Sequence, residues 1–101
     1  MKTFVTVWSY EIVTGKENHF ESLYGKDGDW VKLFRKHPDY IKTELAKDLN
    51  DNSRYITIDY WKSKESYYRF REEVKKEYDI IDKYGEELTI SEIHLGEFEM
   101  L

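Results

Sequence analysis

The sequence predicts a single α+β domain, residues 1–101, in which helices pack on one face of an antiparallel sheet. Three observations support this prediction. Four short segments have the character of strands: the first is rich in β-branched and aromatic residues, and the other three alternate between two faces. One longer segment repeats apolar residues every three or four positions, as a helix packed on a sheet does. The length is that of one domain, and no repeat, linker or low-complexity segment divides it.

The first strand and the first helices are predicted in the first third of the chain. Residues 3–13 are rich in β-branched and aromatic types, which favours a strand. Thr14 followed three places later by Glu17 is a capping-box pattern, so a helix is expected to begin there. Two glycines then interrupt this helix, and Asp29 is expected to cap a second short helix that Pro38 closes.

Residues 40–49 and 54–61 are predicted to form a β-hairpin. Both runs alternate, and the turn-forming residues 50–53 separate them. The side chains expected on the apolar side of the first run are Ile41, Thr43, Leu45 and Leu49. Alternation in the second run places four side chains on one face, namely Tyr55, Thr57, Asp59 and Trp61.

A long helix and a last strand complete the order of elements. Ser63 is expected to begin this helix and Gly85 to end it. The last strand, residues 90–100, is expected to carry His94 and Phe98 on one face. The order β, α, β, β, α, β is the split βαβ, or ferredoxin-like, arrangement. The helix packs on the sheet through an apolar stripe that comprises Tyr67, Phe70, Val74, Tyr78 and Ile81.

Charge and composition exclude several classes of function. The 16 basic residues are scattered among 21 acidic ones, so no basic stripe exists to bind nucleic acid. The sequence contains no cysteine and gives no sign of an oxidising compartment, so the cytoplasm is the expected location. No run of apolar residues approaches the roughly 20 that a membrane-spanning helix needs, and no membrane partner is expected.

The sequence contains no motif for metal, nucleotide or hydrolase chemistry. His19, His37 and His94 stand far apart and lack metal-ligand spacing, so no metal site is expected. There is no glycine-rich phosphate loop and no nucleophile elbow. The aromatic content of 17% instead favours a ring-filled core, and also mildly favours a pocket for a flat organic ligand.

The first strand is apolar on both faces, which predicts a partner. Trp8 and Tyr10 lie on one face, and Val5 and Val7 lie on the other. The helices of one chain cover one face of a sheet, so the second face needs another cover. A second copy of the sheet is the simplest cover, and we therefore expect a homodimer. Either face of the strand is a candidate for the interface.

Short segments spread over nearly the whole chain form a pattern: Trp8–Ile12, Gly15-Lys16, Phe20-Glu21, Tyr24-Gly25, Gly28–Trp30, Leu33-Phe34, Tyr40–Leu45, Tyr55–Trp61, Glu92 and Gly96. This pattern resembles the antibiotic-biosynthesis monooxygenase family. The resemblance implies a dimeric α/β barrel in which two chains face their sheets towards each other. It also implies a cofactor-independent monooxygenase acting on a small aromatic or quinol-type molecule, with no metal or flavin.

The resemblance places a pocket between sheet and helices. Trp61 matches a tryptophan at the end of the family's third strand and is expected to clamp a flat ligand. Asp59 shares its face and, if desolvated, is expected to take a proton from a phenol. The further residues expected to contact the ligand are Trp30, Phe34, Tyr78 and Glu92.

Each of these residues also has a structural interpretation. Trp61 and Tyr78 fit a core, Asp59 fits a hydrogen-bonded strand position, and Glu92 fits a solvent-exposed one. The alternative function is accordingly a non-catalytic ligand-binding or interaction dimer, whose pocket would be blocked by Trp30, Phe34 or Trp61 or would lack a buried proton acceptor. Haem degradation is disfavoured, because the first strand lacks the asparagine and the long helix lacks the histidine of haem-degrading relatives.

Overall fold

The computed structural model describes residues 2–101 and shows helices packed on one face of an antiparallel four-stranded sheet. The strand order is β2-β3-β1-β4, and the sheet is open. The predicted α+β class and ferredoxin-like order of elements are confirmed. In chain order the elements are β1 (Phe4–Ile12), α1 (Glu17–Tyr24), α2 (Asp29–Phe34), β2 (Tyr40–Lys47), β3 (Arg54–Trp61), α3 (Lys64–Glu73), α4 (Lys75–Glu86) and β4 (Thr89–Glu99).

The two central strands bury one face under the helices. On β1 the buried aromatic and aliphatic residues of this face include Phe4, Tyr10 and Ile12. On β3 the face begins with Tyr55 and ends with Trp61, and both side chains are almost wholly buried. The opposite face of β1 carries Val5 and Val7, opposite Tyr60 and Ile58 of β3. We call this the open face, because no helix within residues 2–101 covers it.

The beginnings of the first two helices differ from prediction. α1 begins at Glu17 without a side-chain cap, so the predicted Thr14 capping box is wrong. Gly15 has a φ of +89° and turns the chain between Thr14 and the helix, and its own N–H contacts the Glu17 carboxylate. Asp29 is likewise the first helical residue of α2 and not its cap. Its charge lies in the first turn, where it complements the helix dipole.

The predicted long helix is two helices. Ser63 does cap the first, since its Oγ accepts the Ser66 N–H at 3.1 Å. At Val74 the backbone leaves the helical region, with φ −110° and ψ 24°, and α4 starts one residue later. Gly85 lies in the last turn of α4 and does not end it; a Cβ there would stand 2.4 Å from the Tyr24 hydroxyl. Gly85 therefore lets α4 pack closely against the Tyr24 side chain of α1.

Register shifts change the faces of the two edge strands. Tyr40 pairs with Trp61 but Lys42 pairs with Tyr60, so Ile41 is an extra residue and is exposed. Leu49 lies beyond the end of β2 and is also exposed, so the predicted burial of both side chains is wrong.

β4 contains a similar shift. His94 pairs with Trp8 and Gly96 with Val7, which leaves Leu95 as the extra residue. Phe98 consequently lies opposite Val5 on the open face, so the prediction that it shares a face with His94 is wrong.

Candidate functional site

A cleft opens between the helix-covered face of the sheet and the helices. Its walls are mainly aromatic rings, and three carboxylates interrupt them. The cleft has a volume of about 30 Å³, which is room for about one water molecule. The side chains that line it are Trp8, Tyr10, Tyr24, Trp30, Phe34, Thr43, Thr57, Asp59, Tyr67, Tyr78, Asp82 and Glu92.

Asp59 is the buried acid of this cleft. It lies in the middle of the sheet, opposite Thr6 of β1 and Thr43 of β2, and is 8% exposed. Burial removes water from its carboxylate and raises the pKa of Asp59 to about 6. The Thr43 hydroxyl donates a hydrogen bond of 2.6 Å to Asp59 Oδ1 and opposes that rise, because it stabilises the charged form. Asp59 can thus gain and lose a proton near neutral pH.

Aromatic residues from α2 and α4 form the wall beside the acid. The rings of Trp30 and Phe34 lie 5.7 Å apart, and both side chains are buried. Tyr78 meets Trp30 edge-on at 4.7 Å, and burial raises the pKa of Tyr78 to about 12, so its hydroxyl stays protonated at neutral pH. Among the described residues, Trp30 Nε1 has no hydrogen-bond partner. This wall therefore offers flat apolar ring surface to the cleft.

Two further carboxylates line the cleft. Asp82 is half-buried on α4, and Glu92 on β4 is largely exposed. Burial of each carboxyl, together with repulsion from nearby acids that include Glu86, raises the pKa of both Asp82 and Glu92. Since Glu92 is exposed, its carboxyl lies at the solvent side of the cleft.

Trp8 was not predicted as a site residue, and it lines the cleft next to β4. Its ring stacks on the exposed His94 ring at 4.4 Å and 23°. His94 Nε2 in turn lies 2.9 Å from the Thr6 hydroxyl. Trp8 thus lines the cleft on the side of β4.

Trp61 lies outside the cleft. It is completely buried and meets Phe34, Tyr67 and Phe70 at ring distances between 5.2 and 5.7 Å. α3 and the end of α2 cover this end of β3, whereas Asp59, two residues earlier on the same face, borders the void. Trp61 is therefore a core residue that supports the wall of the cleft and does not itself line the cleft.

The structure brings together five of the six predicted site residues and adds several others. Trp30, Phe34, Asp59, Tyr78 and Glu92 line one cleft, and Trp61 does not. Of the residues that sequence reasoning missed, the most informative is Thr43, which lies opposite Asp59 in the hairpin. The register of that hairpin was the one signal that pointed to it, since direct cross-strand neighbours lie in contact.

Residues 2–101 contain neither a cluster of side chains suited to a metal ion nor a membrane-spanning helix. No group of three or more histidine, cysteine or acidic side chains is placed to hold a metal ion within this range. Within the same range, no helix has the length and apolar character that crossing a membrane requires.

Several solved structures share this architecture over nearly the whole chain. SnoaB, a cofactor-independent oxygenase from Streptomyces nogalater, superposes with a TM-score of 0.81 at 16% identity, covering 100% of this chain and 95% of SnoaB. A candidate antibiotic biosynthesis monooxygenase from Bordetella bronchiseptica gives 0.78 at 13% identity, covering 100% and 99%. A second from Nitrosomonas europaea gives 0.75 at 12% identity, covering 98% and 90%.

The chain has the fold of these three proteins. The resemblance seen in the sequence is thus confirmed at the level of the fold, and these low identities show the fold alone. No family model matches the chain, and no curated protein matches it in sequence.

Proposed function

We propose that this protein is a cofactor-independent monooxygenase that acts on a small phenol or quinol-type molecule. The observation that carries the proposal is Asp59, a buried carboxylate with a pKa of about 6 in a cleft walled by aromatic rings. A general base is most effective when its pKa lies near the working pH. The likeness to SnoaB, a cofactor-independent oxygenase, supports the same reading.

The proposed chemistry starts with a proton transfer. Asp59 accepts the hydroxyl proton of the bound phenol, and the resulting phenolate is electron-rich enough to reduce oxygen itself. A carbon of the ring forms a bond to one oxygen atom of O₂, and the O–O bond then breaks as water leaves. One oxygen atom stays on the ring as a new carbonyl, so a phenol and O₂ give a quinone and water. The protein supplies orientation and a dry surrounding.

Distinct residues are assigned to holding the ligand. Trp30, Phe34 and Tyr78 would stack on or edge against its ring, as aromatic walls do in small-molecule sites. Glu92 would contact the polar rim of the ligand, since it lies towards solvent. Trp61 acts behind this wall by supporting Phe34, at a ring distance of 5.7 Å.

The cleft is too small, as it stands, to hold a phenol. About 30 Å³ is an order of magnitude below the roughly 300 Å³ of a small-molecule pocket. Binding therefore requires the cleft to widen. The helical wall is divided at Val74 into α3, which carries Tyr67, and α4, which carries Tyr78, so movement of one helix relative to the other would open it.

The same small volume favours a second candidate function. In a non-catalytic binding or interaction dimer, Trp30 and Phe34 would close the cleft and act as core residues. Both are less than a tenth exposed, as core residues are. The two candidates differ in one property, which is whether a phenol enters and is oxidised.

Oxygen incorporation separates the two candidates. The protein is incubated with 1-naphthol under ¹⁸O₂, and the product is analysed by mass spectrometry. We expect 1,4-naphthoquinone that carries one ¹⁸O atom, and a rate in Asp59→Asn lower by about 10²-fold or more, the scale of losing a general base. Asp39→Asn is the matched control, because Asp39 lies outside the cleft. Quenching of tryptophan fluorescence by 1-naphthol without labelled product would favour the binding protein.

We also propose that two chains pair through the open face. Ile93 and Phe98 are more than half exposed there, and Ile56 and Ile58 are only half-buried. A contiguous apolar sheet face of this kind marks an interface. A second copy would cover it with an identical surface, which satisfies both chains at once. Of the two faces left open by the sequence, the one that carries Val5 and Val7 is therefore assigned to the dimer.

A further inference from the structure

Three side chains form a hydrogen-bonded row from the cleft to the edge of the sheet. The Thr43 hydroxyl donates to Asp59 Oδ1 at 2.6 Å, and the Tyr40 hydroxyl lies 2.8 Å from Thr43 Oγ1. Asp59 lies on β3, whereas Thr43 and Tyr40 lie on β2, the edge strand. The row thus leads outward from the buried acid.

The state of the acid fixes the direction of the hydrogen bonds. An ionised carboxylate only accepts, so Thr43 must give its single hydroxyl hydrogen to Asp59. Thr43 then has only acceptor capacity left, so Tyr40 must donate to it. When Asp59 is protonated, both hydroxyls are free to rotate and the direction reverses. Each of the two hydroxyls can therefore accept one proton and pass on another.

The two ends of the row face different surroundings. Asp59 lines the aromatic cleft, whereas Tyr40 is half-buried and lines a separate open groove beside Arg35. Thr43 borders both the cleft and the groove. The row is therefore a hydrogen-bonded link between a buried acid and solvent that does not pass through the mouth of the cleft.

We propose that Thr43 and Tyr40 are a proton relay that exchanges the proton of Asp59 with solvent at the outer edge of the sheet. The inference deepens the proposed function and rests on it. Oxidation of a phenol to a quinone releases water and no net proton, so each proton that Asp59 gives to solvent is matched by one that Asp59 takes back and gives to the oxygen that leaves as water. In the outward step Asp59 gives its proton to Thr43, Thr43 gives its own to Tyr40, and Tyr40 gives its own to water. The carboxylate is restored, both hydroxyls are regenerated, and water gains one proton.

Other titratable groups lie around Asp59. The tyrosines that interact with its charge are neutral at the pH of interest, because their pKa values are raised. Burial also raises the pKa of the two other cleft carboxyls, Asp82 and Glu92, so the signal of Asp59 itself must be observed. The groups are Tyr10 on β1, Tyr24 on α1, Tyr40 on β2, Tyr67 on α3, Tyr78 and Asp82 on α4, and Glu92 on β4, with Arg71 of α3 beside Tyr67 and Tyr78.

Carbon-13 NMR on the ligand-free protein tests the relay. The Asp59 carboxyl signal gives its pKa by titration, and relaxation dispersion near pH 6 gives its rate of proton exchange. We expect Tyr40→Phe and Thr43→Val each to slow this exchange by about tenfold or more. Thr43→Ser keeps the hydroxyl and should restore a rate near that of the unaltered protein. Thr43→Val should also raise the pKa of Asp59, because it removes the hydrogen bond that stabilises the carboxylate.

Tyr60→Phe is the matched control. Tyr60 is a tyrosine of β3 whose hydroxyl donates to Glu44 at 2.6 Å, outside the row. Loss of the Tyr60 hydroxyl should leave the rate of proton exchange at Asp59 unchanged. Unchanged exchange in Tyr40→Phe, with the fold intact by circular dichroism, would overturn the relay and show that the proton leaves through the cleft. Because no ligand is used, that result would leave 1-naphthol oxidation to be judged separately.

Discussion

The two faces of the sheet differ in how far their apolar residues are buried. On the helix-covered face Trp61 and Tyr55 are almost wholly buried. On the open face Phe98 is 51% exposed and Ile93 57% exposed, although both are large and apolar. The apolar residues of the covered face are buried in the core, whereas the open face is equally apolar but exposed to solvent in a single chain.

The difference also concerns polar groups. The covered face holds Asp59, whose burial is tolerated because Thr43 donates to it. A buried charge with a raised pKa costs stability, and proteins accept that cost mainly at functional sites. On the open face Tyr60 and Glu44 form their hydrogen bond among exposed side chains, with solvent nearby. The candidate functional site therefore lies on the helix-covered face, where Asp59 is buried.

Truncating one aromatic residue on each face gives the largest expected contrast. Trp61→Ala should lower the free energy of unfolding by about 3 to 5 kcal/mol, because it leaves a cavity among packed rings. Phe98→Ala should cost less than about 1 kcal/mol in dilute protein and more as the concentration rises, since its cover is a second chain. Urea unfolding at two protein concentrations measures both. Equal losses would remove the distinction between the faces.

The buried acid should give the covered face a pH dependence. Folding raises the pKa of Asp59 from 3.8 to about 6, so the folded state binds this proton more tightly than the unfolded state does. The contribution of Asp59 to stability therefore falls as pH rises from about 4 to about 6 and is constant above that. The fall amounts to about 3 kcal/mol, taking about 1.4 kcal/mol for each pKa unit.

The variant Asp59→Asn isolates this effect. It lacks the titrating group, so subtracting its unfolding free energy from that of the unaltered protein removes the contribution of the other acids. The difference should change by about 3 kcal/mol between pH 3.5 and pH 7, with the unaltered protein relatively less stable at the higher pH. A difference independent of pH would mean that Asp59 is solvated and has an ordinary pKa.

The faces of the central strands could be predicted from the sequence, because the polarity of each side chain indicates whether it is buried. β1 and β3 contain no register shift in their pairing with each other, and their faces agree with prediction. Extra residues in the edge strands, Ile41 and Leu95, leave local alternation intact on either side while exchanging the faces beyond them. Gly96, which stands beside Leu95 with φ +156°, marks the shift in β4, but apolar alternation alone does not show it, so Phe98 was placed on the wrong face.

Two other features could not be predicted from the sequence, for different reasons: the break between α3 and α4, and the position of Trp61 outside the cleft. The apolar stripe keeps its spacing through Val74, so a single residue outside the helical region leaves the pattern unchanged. Asp59 and Trp61 share a face by alternation, but which of them borders a void depends on how α2 and α3 cover the end of β3. Packing between elements that are distant in sequence determines which side chain borders the void, and the periodicity of a single strand does not show that packing.

The most direct test of the contrast between the faces is the mass of the protein in solution. Light scattering at tens of micromolar should give twice the chain mass of 12.3 kDa, as expected when about 800 Å² or more of each chain is buried. Val7→Asp places an unpaired charge in the proposed interface and should give a single chain mass, whereas Lys76→Asp on the exposed surface of α4 should stay dimeric. A mass of 12.3 kDa for the unaltered protein would contradict the pairing of open faces.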